Sequence, residues 1–151
     1  MVNKLKLIVL IRIYVEEQVN CGDAIRLEHA LTKRNLHSEE IYQSMITKGQ
    51  EISCYGHEGL GNESIISLIL DDNWVIKCLN KKDGDEFFGG DVFELVHENT
   101  DKKVKMSKYY EYSYANWENC PFQGQLEVSG TAASTRETQF KIIGGVFFRE
   151  S

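Results

Sequence analysis

Hydrophobic and polar residues alternate along the chain in short runs separated by polar or glycine-bearing turns. From Asp23 to Glu28, Ile25 and Leu27 fall on one face while Arg26 and Glu28 fall on the other. A period of two marks a half-buried strand. Ala30–Arg34 reads as a polar turn, and Asn35–Ser38 as the return strand of a hairpin. Tyr42–Lys48 is a loop, after which Glu51–Tyr55 alternates again. Asn73–Cys78 forms another strand, with Trp74, Ile76 and Cys78 sharing a face. Between these strands, Gly56–Ser64 holds three glycines and reads as an exposed loop. Ile65–Leu70 is apolar and uncharged. It predicts a strand or a short buried segment, since exposure would make it an aggregation-prone or partner-binding edge.

The pattern then starts again. Gly22, Asp23, Leu27, His29 and Thr32 recur as identical residues 68 positions later, and Ser38 recurs 69 later. Phe93 with Leu95 supplies the first strand of the second hairpin, and Val104–Ser107 its return. Tyr109, Tyr110, Tyr112 and Tyr114 lead to Trp117 in a long polar-aromatic loop. Gly124–Gly130 answers Gly49–Cys54 with one residue added, and Gln139–Ile143 answers Asn73–Lys77 with Phe140 in the place of Trp74. A self-match on this scale predicts a repeat architecture of two units, about 19–80 and 81–148. Each unit has four short strands, too few to bury two faces alone, so the units must pack together or against another.

Composition narrows the class without adding chemistry. The 151 residues make one domain with a real core, and 42% apolar with 26% charged is ordinary globular usage. A net charge of −6 argues against a nucleic-acid partner, whose phosphates demand basic patches. Twelve glycines, seven tyrosines and seven phenylalanines favour β structure with many turns. Four cysteines suit either two disulfides or free buried thiols, and no C-x-x-C spacing suggests zinc or a redox pair. Residues 1–18 are poorly defined. The basic-then-apolar start, interrupted by Arg12, suits a strand, a weak signal-like sequence or a frayed end, and its apolar run is too short to span a membrane.

Candidate chemistry is sparse. His29 and His97 occupy equivalent repeat positions, which favours a shared structural role over metal or acid–base work. No G-x-S-x-G, paired carboxylates or phosphate loop stands out, so no catalytic residue, metal ligand or cofactor is expected. Asn62-Glu63-Ser64 is a glycosylation acceptor pattern that matters only in a secretory protein. Tyr109, Tyr110, Tyr112, Tyr114 and Trp117 are the candidate ligand or partner contacts, because tyrosine and tryptophan stack on sugars and grip apolar peptides. Packing of the same residues along the flank of the domain is the competing reading.

The run Gly22–Glu28 with His29, Leu36-His37-Ser38, Gly49-Gln50-Glu51 and Trp74, in that order, resembles the MIR domain. That domain occurs in protein O-mannosyltransferases, inositol trisphosphate receptors and ryanodine receptors. The order of parts is most similar to the stromal cell-derived factor 2-like proteins, from Val19 to about Phe148. The second unit departs from the motif, with Lys105-Met106-Ser107 for Leu-His-Ser and Phe140 for tryptophan.

The resemblance implies an all-β protein with a β-trefoil fold, three such units around a pseudo-threefold axis. Two are visible here, with residues 7–14 the candidate for a remnant strand of the first. It places His29, His37, Trp74 and His97 as structural repeat residues and Cys21 with Cys78 as a disulfide flanking the middle unit. It further implies a non-catalytic protein of the endoplasmic-reticulum lumen. Its expected partners are a J-domain co-chaperone, the lumenal Hsp70 and unfolded or O-mannosylated clients. A carbohydrate-binding trefoil acting alone is the alternative, and an enzymatic part of a mannosyltransferase is the weakest reading. The ending Phe148–Ser151 is not a K-D-E-L-type signal, so lumenal retention would depend on a partner.

Overall fold

The structure is a computed structural model that describes residues 18–55, 70–115, 118–120 and 122–143. The first repeat contributes β1 (Ala24–Ile25), β2 (Asn35–His37), β3 (Gln50–Glu51), β4 (Ser53–Tyr55) and β5 (Trp74–Cys78). The second contributes β6 (Phe93–His97), β7 (Lys103–Glu111) and β8 (Leu126–Thr131), followed by a 3-10 turn at Arg136–Thr138. The described fold is all-β.

One six-stranded sheet, ordered β1-β5-β6-β7-β8-β3, carries both lobes, and β2 pairs with β4 in a separate ribbon. Five residue pairs join β5 to β6, from Trp74↔His97 to Cys78↔Phe93. At the far side β3 returns to β8 through Gln50↔Gly130 and Glu51↔Ser129. The sheet therefore begins and ends on lobe one and curls around the three strands of lobe two as a half-barrel. Neither lobe closes its own sheet, which is why the two fold as one body.

The repeat is visible in the hydrogen bonds. The His29 N–H donates to the Arg34 carbonyl at 2.8 Å, and His29 Nδ1 lies 2.9 Å from Thr32 Oγ1. The His97 N–H donates to the Lys102 carbonyl at 2.7 Å, and its Nδ1 lies 2.8 Å from Thr100 Oγ1. Lys33 and Asp101 occupy the same left-handed position, both at φ 56°. Unlike side chains share one backbone turn because the histidine and threonine build it.

Four expectations need correction. The first strand covers only Ala24–Ile25, since β5 ends its pairing there, and Leu27 is exposed. Tyr109–Glu111 belong to β7 rather than to a loop, after a register shift between Met106 and Glu111. In β6 the buried positions are Glu94, Val96 and His97, while Phe93 and Leu95 are only half-buried. Glu94 tolerates burial because it accepts hydrogen bonds from the Thr138 and Ser134 hydroxyls at 2.5 and 3.1 Å. Gln139–Ile143 makes a bridge, Phe93↔Phe140, in place of a strand. Residues 7–14, Asn62, Ile65–Ile69 and Trp117 lie outside the described residues.

The apolar core holds Cys21, Trp74, Ile76, Val96, Val104 and Cys120. Cys21 is bonded to Cys78 across a sequence separation of 57, which ties the entry of lobe one to the end of β5. A loop of that length contributes about 4 kcal/mol in the chain-entropy account. Cys54 is an exposed free thiol and Cys120 a buried one.

Candidate functional site

The turn Asp71-Asp72-Asn73, which launches β5, organises the polar centre of the molecule. Asp72 is fully buried, and its carboxylate accepts from the Asn35 amide at 3.1 Å and faces His37 Nδ1 at 2.9 Å. The other ring nitrogen of His37 faces Glu39 at 2.9 Å. Both contacts are hydrogen bonds together only when the ring carries two protons, because a carboxylate can only accept. The Asp71 carbonyl accepts from the Ser38 N–H at 3.1 Å and meets His97 Nε2 at 3.0 Å. His97 is itself fully buried, with its ring centroid 5.0 Å from that of Trp74. Burial holds its pKa below the ordinary histidine value, although the Asp71 carbonyl and carboxylate pull the other way. The Trp74 Nε1–H donates to the Leu36 carbonyl at 3.0 Å, which fastens β5 to β2.

Outside this centre, His37 reaches the floor of a cleft of about 230 Å³ lined also by Glu39, Tyr42, Glu51, Ser53 and Tyr55. Tyr42 and Tyr55 are 53% and 54% exposed, and the Tyr55 ring lies 5.3 Å from that of His37. Glu51 is a wall shared with a second cleft of about 270 Å³, whose lining includes Met45, Ile52, Tyr112, Phe122 and Val128. The loop carrying Tyr42 and Met45 is pinned from the other lobe. Buried Glu127 accepts from the Ser44 hydroxyl at 3.0 Å, the Ile46 N–H at 2.6 Å, the Thr47 N–H at 3.0 Å and the Thr47 hydroxyl at 2.5 Å. Burial raises the Glu127 pKa, but these bonds outweigh it and hold the group below the usual glutamate value. Tyr112 is pushed upward, first by burial and then by the Glu127 charge beside it.

The residues singled out from sequence do not gather in one place. Tyr109 and Tyr114 are strongly exposed, and Tyr110 lies at the edge of exposure. Lys108 stands 5.1 Å above the Tyr109 ring and Lys105 5.1 Å above the Tyr110 ring. Tyr112 turns away from them, packs against Phe122 at 5.4 Å and joins the second cleft. His29 is exposed with its Thr32 partner. Missed by the sequence reading were Glu39, Tyr42, Glu51, Tyr55 and Asp72. Their signal lay in comparing the copies. Register equates β2–β4 with β7–β8, so His37↔Ser53 corresponds to Met106↔Val128, and Asn35↔Tyr55 to Val104↔Gly130. Beyond Met106 the correspondence breaks, because the register shift between Met106 and Glu111 sets Glu111 opposite Leu126, the residue that sequence equates with Glu51.

Among the described residues there is no cluster of three or more histidine, cysteine, aspartate or glutamate side chains placed to hold a metal ion. Nor is any described helix long and apolar enough to cross a membrane.

Two repeated lobes sharing one curled, half-barrel sheet define an all-β protein of β-trefoil fold. No family model matches the chain. A stromal cell-derived factor 2-like protein of Dictyostelium discoideum is 33% identical over 87% of this chain and 54% of its own length. The crystal structure of the SDF2-like protein from Arabidopsis thaliana superposes with a TM-score of 0.68 at 23% identity, covering 87% of this chain and 64% of that one. In the Pmt1–Pmt2 protein O-mannosyltransferase complex of S. cerevisiae, solved with its sugar donor, 20% of one chain matches 87% of this one, with a TM-score of 0.52 at 19% identity. The chain is thus similar to the stromal cell-derived factor 2-like proteins over most of its own length and spans about half the length of the curated relatives it matches.

Proposed function

We propose that the protein is a non-catalytic binding module of lumenal protein quality control. In this reading it works in the endoplasmic reticulum with a J-domain co-chaperone and the lumenal Hsp70 on unfolded or O-mannosylated clients. The observation that carries it is a pair of adjoining clefts, one in lobe one and one at the seam between lobe one and lobe two. Half-exposed Tyr42 and Tyr55 flank one, Met45 and Phe122 line the other, and Glu51 stands between them. A pocket of aromatic and thioether side chains suits apolar peptide segments of varied sequence. Kinship to stromal cell-derived factor 2-like proteins across both lobes supports the same reading. Capture from a lumenal extract tests it: the chaperone pair and a client should be recovered together, and recovery of neither overturns it.

A second reading, a glycan-binding trefoil acting alone, is favoured by exposed Tyr109 and Tyr114 on the opposite lobe. A glycan array that stays silent, or a signal unchanged by Tyr109→Ala with Tyr114→Ala, removes it.

A further inference from the structure

The lobe-one cleft offers carboxylates and aromatic faces, and among its lining residues the one basic group is His37, held between Asp72 and Glu39. Glu39 and Glu51 supply carboxylates, Tyr42 and Tyr55 supply ring faces, and no lysine or arginine lines it. The Glu39 carboxylate already faces His37. Glu51, in contrast, is bonded through its backbone, to Tyr42 and Ser38, and its carboxylate acts on its surroundings as a charge that helps to raise the Tyr112 pKa. The Tyr42, Tyr55 and Ser53 hydroxyls both donate and accept and would serve a neutral sugar too, but only a cation matches the two carboxylates. A guanidinium or ammonium group presents donors only and is drawn to carboxylates and ring faces alike.

The fold does not require this chemistry. In lobe two the same backbone register carries Met106, Val128 and Gly130 where lobe one has His37, Ser53 and Tyr55. Past Met106 a register shift breaks the match, and lobe two sets Glu111 opposite Leu126 where lobe one has Glu51. The strand pair thus forms without His37, Ser53 and Tyr55, so the fold alone does not require these cleft residues, which leaves them for a ligand.

We infer that this cleft binds a cationic side chain, arginine or lysine, of a peptide whose neighbouring apolar residue enters the Met45–Phe122–Val128 cleft across Glu51. The inference rests on reading these two adjoining clefts as the binding surface and names the class of segment they take. Glu51 is the pivot, since it forms a wall of both clefts. The chain's net charge of −6 favours approach of such a segment from a distance.

Fluorescence anisotropy on the full chain tests this with a labelled short peptide of alternating arginine and leucine, and with a counterpart in which every arginine is glutamine. The arginine peptide is expected to bind about tenfold or more tightly than its counterpart, and to weaken as salt rises. Glu51→Gln should cost about tenfold for the arginine peptide and leave the glutamine peptide unchanged. Tyr55→Ala, at an exposed site that disturbs no core, should also weaken the arginine peptide. Equal binding of the two peptides, or Glu51→Gln and Tyr55→Ala both without effect, overturns the assignment while the quality-control reading stands. If neither peptide binds, the assignment also falls, and capture of chaperones and clients then decides the wider reading separately.

Discussion

His29 and His97 are the same residue in two copies of one turn, yet one is exposed and the other fully buried. The turn itself does not differ, because the histidine–threonine contact and the left-handed residue after it coincide in both. Surroundings differ. His97 lies under Trp74, beside Gln50 and against Asp71, all from lobe one. Nothing described covers His29 in the same way. A repeat unit thus specifies its own turns, whereas the neighbouring lobe decides which residues become core. The complementary contrast lies in the return strands. Ser38 and Ser107 are both buried, but His37 is buried where Met106 is 40% exposed. Lobe one holds a satisfied polar network and a cleft; lobe two holds the hydrogen bonds that pin the loop forming it.

This asymmetry can be broken at matched positions. The largest effect should come from the aromatic pair. Trp74→Ala removes a buried indole with its bond to Leu36 and should cost about 3–5 kcal/mol. Phe140→Ala, at a half-buried bridge, should cost roughly half as much by urea denaturation. Equal losses would mean that the lobes contribute symmetrically. Next come Asp72 and its counterpart Thr138, both fully buried. Asp72→Ala leaves Asn35 and His37 Nδ1 without their acceptor and should cost about 3 kcal/mol. Thr138→Val should cost about 1–2 kcal/mol, since Glu94 keeps the Ser134 hydroxyl.

A smaller difference should separate Gly22 and Gly90, which share left-handed φ values of 90° and 95°. An added Cβ at Gly22 would come within 2.8 Å of Asp83 and displace it from Lys77, while at Gly90 it meets nothing within 4 Å. Thermal melts should show Gly22→Ala losing about 2 kcal/mol and Gly90→Ala about 1.

The smallest effect is one of pH. The folded pKa of His97 is depressed, so its contribution to stability is complete above the unfolded value of about 6.5. It is lost as pH falls from there through the folded value, because only the unfolded chain takes up the proton in that window. His97→Gln should flatten that part of the stability profile, with His29→Gln as the exposed control. An unchanged slope for His97→Gln would place the titration elsewhere.

The fold was legible because a repeat writes its strands twice. Gly22-Asp23, His29 with Thr32, and the glycine–glutamine pair recur at fixed offsets, and each marks a turn or strand entry whose geometry is local. The family resemblance then supplied the trefoil. The cleft was not legible, because its parts meet through pairing between distant segments. Asp72 is 35 residues from His37, and Glu127 holds a loop 80 residues before it. Burial of Glu94 in place of Phe93 escaped for a related reason: a buried acid is readable only once the hydroxyls that satisfy it are in place. The tyrosine run drew attention by density alone, yet strand β7 disperses its side chains to different faces.

The central claim is that the lobe-one cleft with its extension into the seam between the lobes, and not the exposed tyrosines of β7, carries the binding surface. Amide chemical shifts followed by NMR during titration with the arginine–leucine peptide address it residue by residue. The account predicts movements centred on Glu39, Tyr42, Glu51, Ser53 and Tyr55, reaching Met45 and Phe122, with Met106–Tyr110 unmoved. Shifts centred on Met106–Tyr110 and Tyr114, with the lobe-one cleft silent, would contradict it.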